Sequence, residues 1–195
     1  MADNFDVAVI GAGLAGLSSA YTLAKNGRSV LVLERGTYPG SKSITGGRLY
    51  LNQVRALEPE LWGANDAPFE RSVSRERITM MTHDSSVSFE LSSGRFRNEP
   101  QHSCTVLRSK LDQWLSAKVE EKGALVVAKT KAEGVRREGR SVFVKTGDDE
   151  VSVGIAILAG EPQRKVKVPE PRRILLGQVI AEGLEVLPPP HHPLL

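Results

Sequence analysis

Asp6-Val7-Ala8-Val9-Ile10-Gly11-Ala12-Gly13-Leu14-Ala15-Gly16 decides the fold of this chain. A short β-branched run, beginning at Phe5, ends in a Gly-x-Gly-x-x-Gly turn. Leu14, Leu17, Ala20, Tyr21 and Ala24 then recur at helical spacing until Asn26-Gly27, a helix stop. Residues 29–33 read as a second buried strand, closed by Glu34-Arg35. Strand, glycine turn, helix, strand and terminal acid in this order form a βαβ unit with a dinucleotide fingerprint. Glycine-rich turns alone are common, and the flanking elements are what make this one specific.

Each fingerprint residue has a physical task. Gly11 permits the tight turn, Gly13 lets backbone approach a pyrophosphate, and Gly16 lets helix and strand pack closely. The helix start offers unpaired N–H groups and a partial positive charge. Glu34 can accept hydrogen bonds from both ribose hydroxyls and would repel a 2′-phosphate, which argues against NADP. Between NAD and FAD, three features favour FAD. The first strand starts the chain, a glycine- and serine-rich loop over 36–47 follows Glu34-Arg35, and antiparallel strands come next instead of further βα alternation.

Beyond the loop, 49–57 reads as a helix stopped near Pro59, and 75–83 and 87–91 as two strands joined through Asp84-Ser85-Ser86. A short strand at 105–107 leads to a helix opened by a Ser109/Asp112 pair, with Leu111, Trp114, Leu115 and Val119 on one face and Gly123 at its end. A strand at 125–128 precedes a three-strand meander over 132–137, 141–146 and 150–158. The fold class is therefore α/β: a Rossmann-like FAD-binding part of the glutathione-reductase type, with a partial antiparallel sheet. Residues 1–159 are expected as one FAD-binding domain with inserted substrate-domain strands at about 73–103, and 160–195 as a proline-punctuated, irregular tail.

Composition narrows the remaining classes. The 195 residues are 40% hydrophobic and 25% charged, too apolar and too balanced for a disordered chain. One cysteine, Cys104, excludes a disulfide scaffold and fits a reducing compartment. No apolar run reaches the roughly 18 residues needed to span a bilayer. A net charge of +3, spread along the chain, is weak ground for a nucleic-acid partner, and none is expected. The first residues carry Asp3 and Asp6 and no base, unlike a secretory signal, so a cytoplasmic location is expected. His83 and His102 lack partners at metal-ligand spacing, and no metal site is expected. Trp114 and the Met80-Met81 pair read as packing residues, and Lys42 as a surface cation. No nucleophile–base pair is visible, so no catalytic residue is assigned; in flavoproteins the cofactor carries the redox chemistry.

Three segments carry a family resemblance. Residues 6–16 with Leu31-Val32-Leu33-Glu34-Arg35-Gly36 resemble FAD-dependent oxidoreductases in general. Tyr38-Pro39-Gly40-Ser41-Lys42-Ser43-Ile44-Thr45-Gly46-Gly47-Arg48-Leu49-Tyr50 and Val106-Leu107-Arg108-Ser109-Lys110-Leu111-Asp112-Gln113-Trp114-Leu115 are narrower. They resemble the FixC-type flavoproteins, related to electron-transfer-flavoprotein–quinone oxidoreductase and to geranylgeranyl reductases. The resemblance spans residues 5–159. It implies bound FAD and electron transfer between an electron-transfer flavoprotein and quinone or a related acceptor, with a ferredoxin-like protein as further partner and peripheral contact at the inner face of the membrane. The alternatives are a geranylgeranyl-reductase-like activity and a non-catalytic nucleotide-binding remnant.

The resemblance also implies which residues hold the cofactor. Ala15 and Glu34-Arg35, with Gly11, Gly13 and Gly16, match the ADP-binding positions. Gly46, Gly47 and Arg48 match the loop that approaches the flavin, Arg108 the arginine that opens the central helix, and Ala132 a backbone contact to adenine. The family pattern breaks after Ala159, where Gly160-Glu161-Pro162-Gln163-Arg164 stands in place of an Asp-Gly continuation. A shift of reading frame would account for that break, and sequencing the coding DNA tests that expectation. Family members are longer than this chain, and the isolated chain is expected to retain FAD weakly and to have exposed apolar surface.

Overall fold

In the computed structural model, residues 5–98 and 100–160 are described. The irregular tail, with the shift of reading frame expected for it, lies outside them apart from Gly160. Two adjacent parallel strands begin the main sheet: β1 (Phe5–Ile10) and β2 (Val30–Leu33), joined by helix α1 (Leu14–Lys25). Alternation sorts their side chains to two faces. Val7, Val9, Val30 and Val32 enter one core, while Ala8, Leu31 and Leu33 enter a second on the other face. The short runs are apolar on both faces because both faces are covered.

The elements that follow β2 are β3 (Gly46–Tyr50), α2 (Leu51–Leu57), the single helical turn α3 (Pro59–Trp62), β4 (Phe69–Ser72), β5 (Arg75–Met81) and β6 (Ser86–Ser92). Then come β7 (Ser103–Leu107), α4 (Arg108–Glu121), β8 (Leu125–Val127), β9 (Gly134–Glu138), β10 (Ser141–Thr146) and β11 (Asp149–Leu158). The main sheet has the order β8-β2-β1-β11-β10-β9. Strand β11 serves two partners: Val153 pairs antiparallel with Val142 of β10 and parallel with Phe5 of β1. The meander is thereby welded to the βαβ unit.

Helices α1 and α4 cover one face of this sheet. Leu17, Ala20 and Tyr21 of α1 meet Leu111, Leu115 and Val119 of α4 in the larger core, and Leu17, Leu111, Leu115 and Val119 are fully buried. Each such leucine contributes roughly 1.5–3 kcal/mol of burial. A three-stranded sheet of order β3-β7-β4 and the hairpin β5-β6 are the other sheets among the described residues. No helix among them is long and apolar enough to cross a membrane.

The α/β class and the antiparallel second layer agree with the sequence reading; four local expectations do not. Gly46–Tyr50, expected as loop and helix start, is strand β3, because it pairs antiparallel with β7 (Gly46↔Leu107, Tyr50↔Ser103). Tertiary pairing overrides local propensity here, and β4, unread in the sequence, forms against the same strand. The Ser109/Asp112 pair does not cap α4: its N-cap is Leu107, with no side-chain cap bond. Ala132, expected in a strand, lies in the link between β8 and β9. Met80 and Met81, expected to pack, are 56% and 77% exposed.

Candidate dinucleotide site

The fingerprint turn is shaped by the packing of its own backbone. Gly11 sits at φ +106, and a Cβ there would press on the backbone of Ala159 and Gly160 at 3.0–3.1 Å. Its N–H donates to the Leu33 carbonyl at 2.8 Å. A Cβ on Gly16 would collide with the Gly11 carbonyl oxygen. Both glycines are thus required by the chain itself. Gly13 is different. Its φ of −88 suits any residue, and the nearest atom to a Cβ would be Arg108 Nη2 at 3.7 Å. Nothing in the protein demands glycine there, and a bare backbone beside Arg108 fits close approach of a bound group.

Gly13 is also the N-cap of α1, with no side-chain cap bond and no acid in the first turn. The first N–H groups of the helix, Ala15 among them, are left to an external acceptor, where the helix dipole favours an anion.

Glu34 closes β2 beside this turn. Its Oε2 accepts from the Ala12 N–H at 2.9 Å and its Oε1 from the Gly36 N–H at 2.5 Å. Each oxygen keeps lone-pair capacity for a hydroxyl donor. The backbone of Glu34 is held by the Val127 carbonyl at 2.8 Å and by the Thr130 N–H at 2.8 Å. Lys129, at φ 57, donates its N–H to the Gly36 carbonyl at 2.8 Å. The link that carries Ala132 therefore lies against the Glu34–Gly36 corner, and Ala132 itself packs with Leu31 and Leu33. Arg35 is exposed.

Arg108 reaches the turn from the other side. Its Nε and Nη2 donate to the two carboxylate oxygens of Asp112 at 3.1 and 3.0 Å. Asp112 is 1% exposed. Burial pushes its carboxyl above the ordinary aspartate value, while the Arg108 guanidinium pulls the other way. The loop 36–45 closes over this pair: Gly40 sits at φ +84, and a Cβ on it would lie 2.9 Å from Asp112 Cβ. The Ser-x-x-Asp spacing suggests a cap, whereas the spacing of four between Arg108 and Asp112 is the signal for the pair that forms.

Gly46 and Gly47 join the same neighbourhood through β3. Gly46 faces Leu107 in the β3-β7 register, and the Thr45 carbonyl accepts the Arg108 N–H at 3.1 Å. A Cβ on Gly46 would lie 2.7 Å from the Val106 oxygen, whereas Gly47 faces open space. The Arg48 guanidinium goes elsewhere: Nη1 pairs with Glu76 at 2.7 Å, Nε donates to Ser103 Oγ at 2.9 Å, and the group lies over the Tyr50 ring. The fold thus brings the glycine turn, Glu34, Arg108 and the Gly46-Gly47 strand together, and commits the Arg48 side chain to the hairpin. Among the described residues no group of three or more His, Cys, Asp or Glu could hold a metal.

Known proteins resemble this chain in sequence and in fold. A family model described as FAD dependent oxidoreductase matches residues 6–92. The chain is 42% identical over 163 residues to "Probable electron transfer flavoprotein-quinone oxidoreductase YdiS" of Escherichia coli strain K12, covering 80% of this chain and 36% of that protein. It is 39% identical over 158 residues to "Protein FixC" of the same strain, with the same coverage. Among solved structures, a geranylgeranyl bacteriochlorophyll reductase-like protein from Thermoplasma acidophilum superposes with TM-score 0.63 at 24% identity, over 80% of this chain and 39% of that one. The myxobacterial chondrochloren halogenase CndH, described as a variant of FAD-dependent halogenases, gives 0.62 at 25%, over 83% and 38%. The chain spans little more than a third of the length of the curated relatives it matches. The FixC-type resemblance read from the sequence is borne out.

Proposed function

We propose, from its kinship with the FixC-type FAD-dependent oxidoreductases, that this chain binds the ADP half of FAD at the Gly11–Gly16 turn and serves electron transfer. The observation that carries the reading is the convergence of an acid, a cation and an uncapped helix start around Gly13, a glycine the protein's own packing does not require. Glu34 would accept the ribose hydroxyls. The N–H groups at the start of α1, with Ala15, would face the diphosphate, and Arg108 would supply countercharge. Gly46 and Gly47 would border the flavin, Ala132 would offer backbone to the adenine, and Arg35 would flank the ribose. FAD, when bound, supplies one- and two-electron transfer.

Residues 5–159 would form one FAD-binding domain, with the strands at about 73–103 inserted as part of a substrate domain. The name of the YdiS relative supports an electron-transfer flavoprotein as donor and quinone or a related acceptor; a ferredoxin-like protein as further partner and a cytoplasmic site with peripheral membrane contact complete the proposal. Identities of 39–42% to FixC and YdiS, against 24% to the geranylgeranyl-reductase-like structure, favour electron transfer over isoprenoid reduction. Flavin fluorescence titration of the purified chain tests the reading, followed by mixing with a reduced electron-transfer flavoprotein. Saturable quenching followed by flavin bleaching is expected. Absence of saturable binding refutes cofactor binding, and bound flavin that is never reduced refutes electron transfer.

A further inference from the structure

We infer that Asp112 is a positioning residue, which aims the Arg108 guanidinium at the glycine turn before any ligand arrives. The inference deepens the proposed dinucleotide site and rests on it.

An arginine at the first position of a helix is unfavourable to the helix dipole, and a free one would swing into solvent. Arg108 is instead gripped at both Nε and Nη2 by one carboxylate, one helical turn on. The pair is asymmetric: the Arg108 side chain is 31% exposed and the Asp112 side chain 1%. A surface pair that merely supports a helix leaves both groups in water and contributes little. Here the acid carries the cost of burial, and the cation keeps its free edge open. Two elements fix the acid: α4, which bears it and supplies Arg108 to both its oxygens, and the Gly40 loop, which lies on its Cβ. Glu34 is the other charge that acts on it, with Arg108. Arg108 Nη2 then stands 3.7 Å from where a Gly13 side chain would be, beside the uncapped start of α1. The donors left on the guanidinium suit a doubly charged diphosphate, and orienting them in advance removes an entropy cost from binding.

The test is a double-mutant cycle on the full chain, read by FAD, ADP and adenosine binding, with urea midpoints as a check on folding. Asp112→Asn keeps the volume of the side chain. It is expected to weaken FAD and ADP binding about tenfold and adenosine binding little, and to add nothing once Arg108→Ala is present. Arg108→Lys keeps the charge and the buried acid but loses the two-point grip, and it is expected to weaken ADP binding as well. Unchanged ADP affinity in Asp112→Asn overturns the inference while leaving the dinucleotide site intact. So does an equal loss for ADP and adenosine, or a loss from Asp112→Asn that persists in the Arg108→Ala chain. A wild-type chain that binds neither FAD nor ADP overturns both readings.

Discussion

A side chain on Gly16 would run into the carbonyl oxygen of Gly11, so the helix of the fingerprint can lie this close to its turn only with glycine at position 16. Gly16→Ala must push α1 off the sheet or bend the turn. It is expected to lower stability by about 1–3 kcal/mol in urea denaturation, the usual cost of overpacking. Gly13→Ala meets no such obstacle, since φ is −88 and the nearest atom is 3.7 Å away. Its stability is expected within about 0.5 kcal/mol of wild type, while FAD affinity falls. Equal destabilisation by the two substitutions would contradict this division between a packing glycine and a ligand-facing one.

Glu34 holds two backbone donors, from Ala12 and Gly36, one on each oxygen. Glu34→Gln replaces one acceptor with an NH2 group, so one N–H is left facing a donor. The site is only partly buried, which puts the expected loss near the low end of the unsatisfied-donor range, about 1 kcal/mol. FAD binding should weaken in parallel. An unchanged urea midpoint would mean that water replaces the lost acceptor at no cost.

The βαβ unit was legible because its signals are local: a β-branched run, three glycines, a helical period and a terminal acid all fall within residues 5–34. The meander was legible for the same reason, since Gly139 and Gly147 mark its turns with positive φ. What escaped is set by partners far along the chain. Gly46–Tyr50 becomes a strand only because Ser103–Leu107 lies beside it, and no local pattern announces a partner more than fifty residues away. Asp112 illustrates the same limit at the site: a Ser-x-x-Asp spacing suggested a cap, but the strand β7 runs straight into α4 and leaves the acid to Arg108.

Glu76 gives the fold a pH dependence. The Tyr50 hydroxyl donates to it at 2.7 Å and Arg48 pairs with it, and these hold its carboxyl below the ordinary glutamate value. A carboxyl depressed in the folded state adds stability that is present above the unfolded value and is lost as pH falls through the folded one. The wild-type chain should therefore have a higher urea midpoint than Glu76→Gln at pH 7, and the gap should narrow as pH is lowered through the acid range. A gap that stays constant with pH would show that Glu76 acts through shape and not through charge.

The hairpin β5-β6 should govern the solubility of this chain. Its register places Ile78 opposite Phe89 and Met80 opposite Val87, so these four side chains, with Leu91, share one face. All five are 48–61% exposed. The other face carries Arg75, Arg77 and Glu90, with Arg77 on Glu90 at 2.7 Å. A two-stranded ribbon also leaves both edges free to pair with another chain. An apolar face and open edges together favour association between copies. Because Ile78 and Phe89 bury little, Ile78→Thr and Phe89→Ser should each change stability by no more than about 0.5 kcal/mol. Both should reduce light scattering on concentration. Leu115→Ala, in the fully buried helix layer, should instead cost about 2–5 kcal/mol and increase scattering. If the hairpin variants scatter as much as wild type, association runs through another surface.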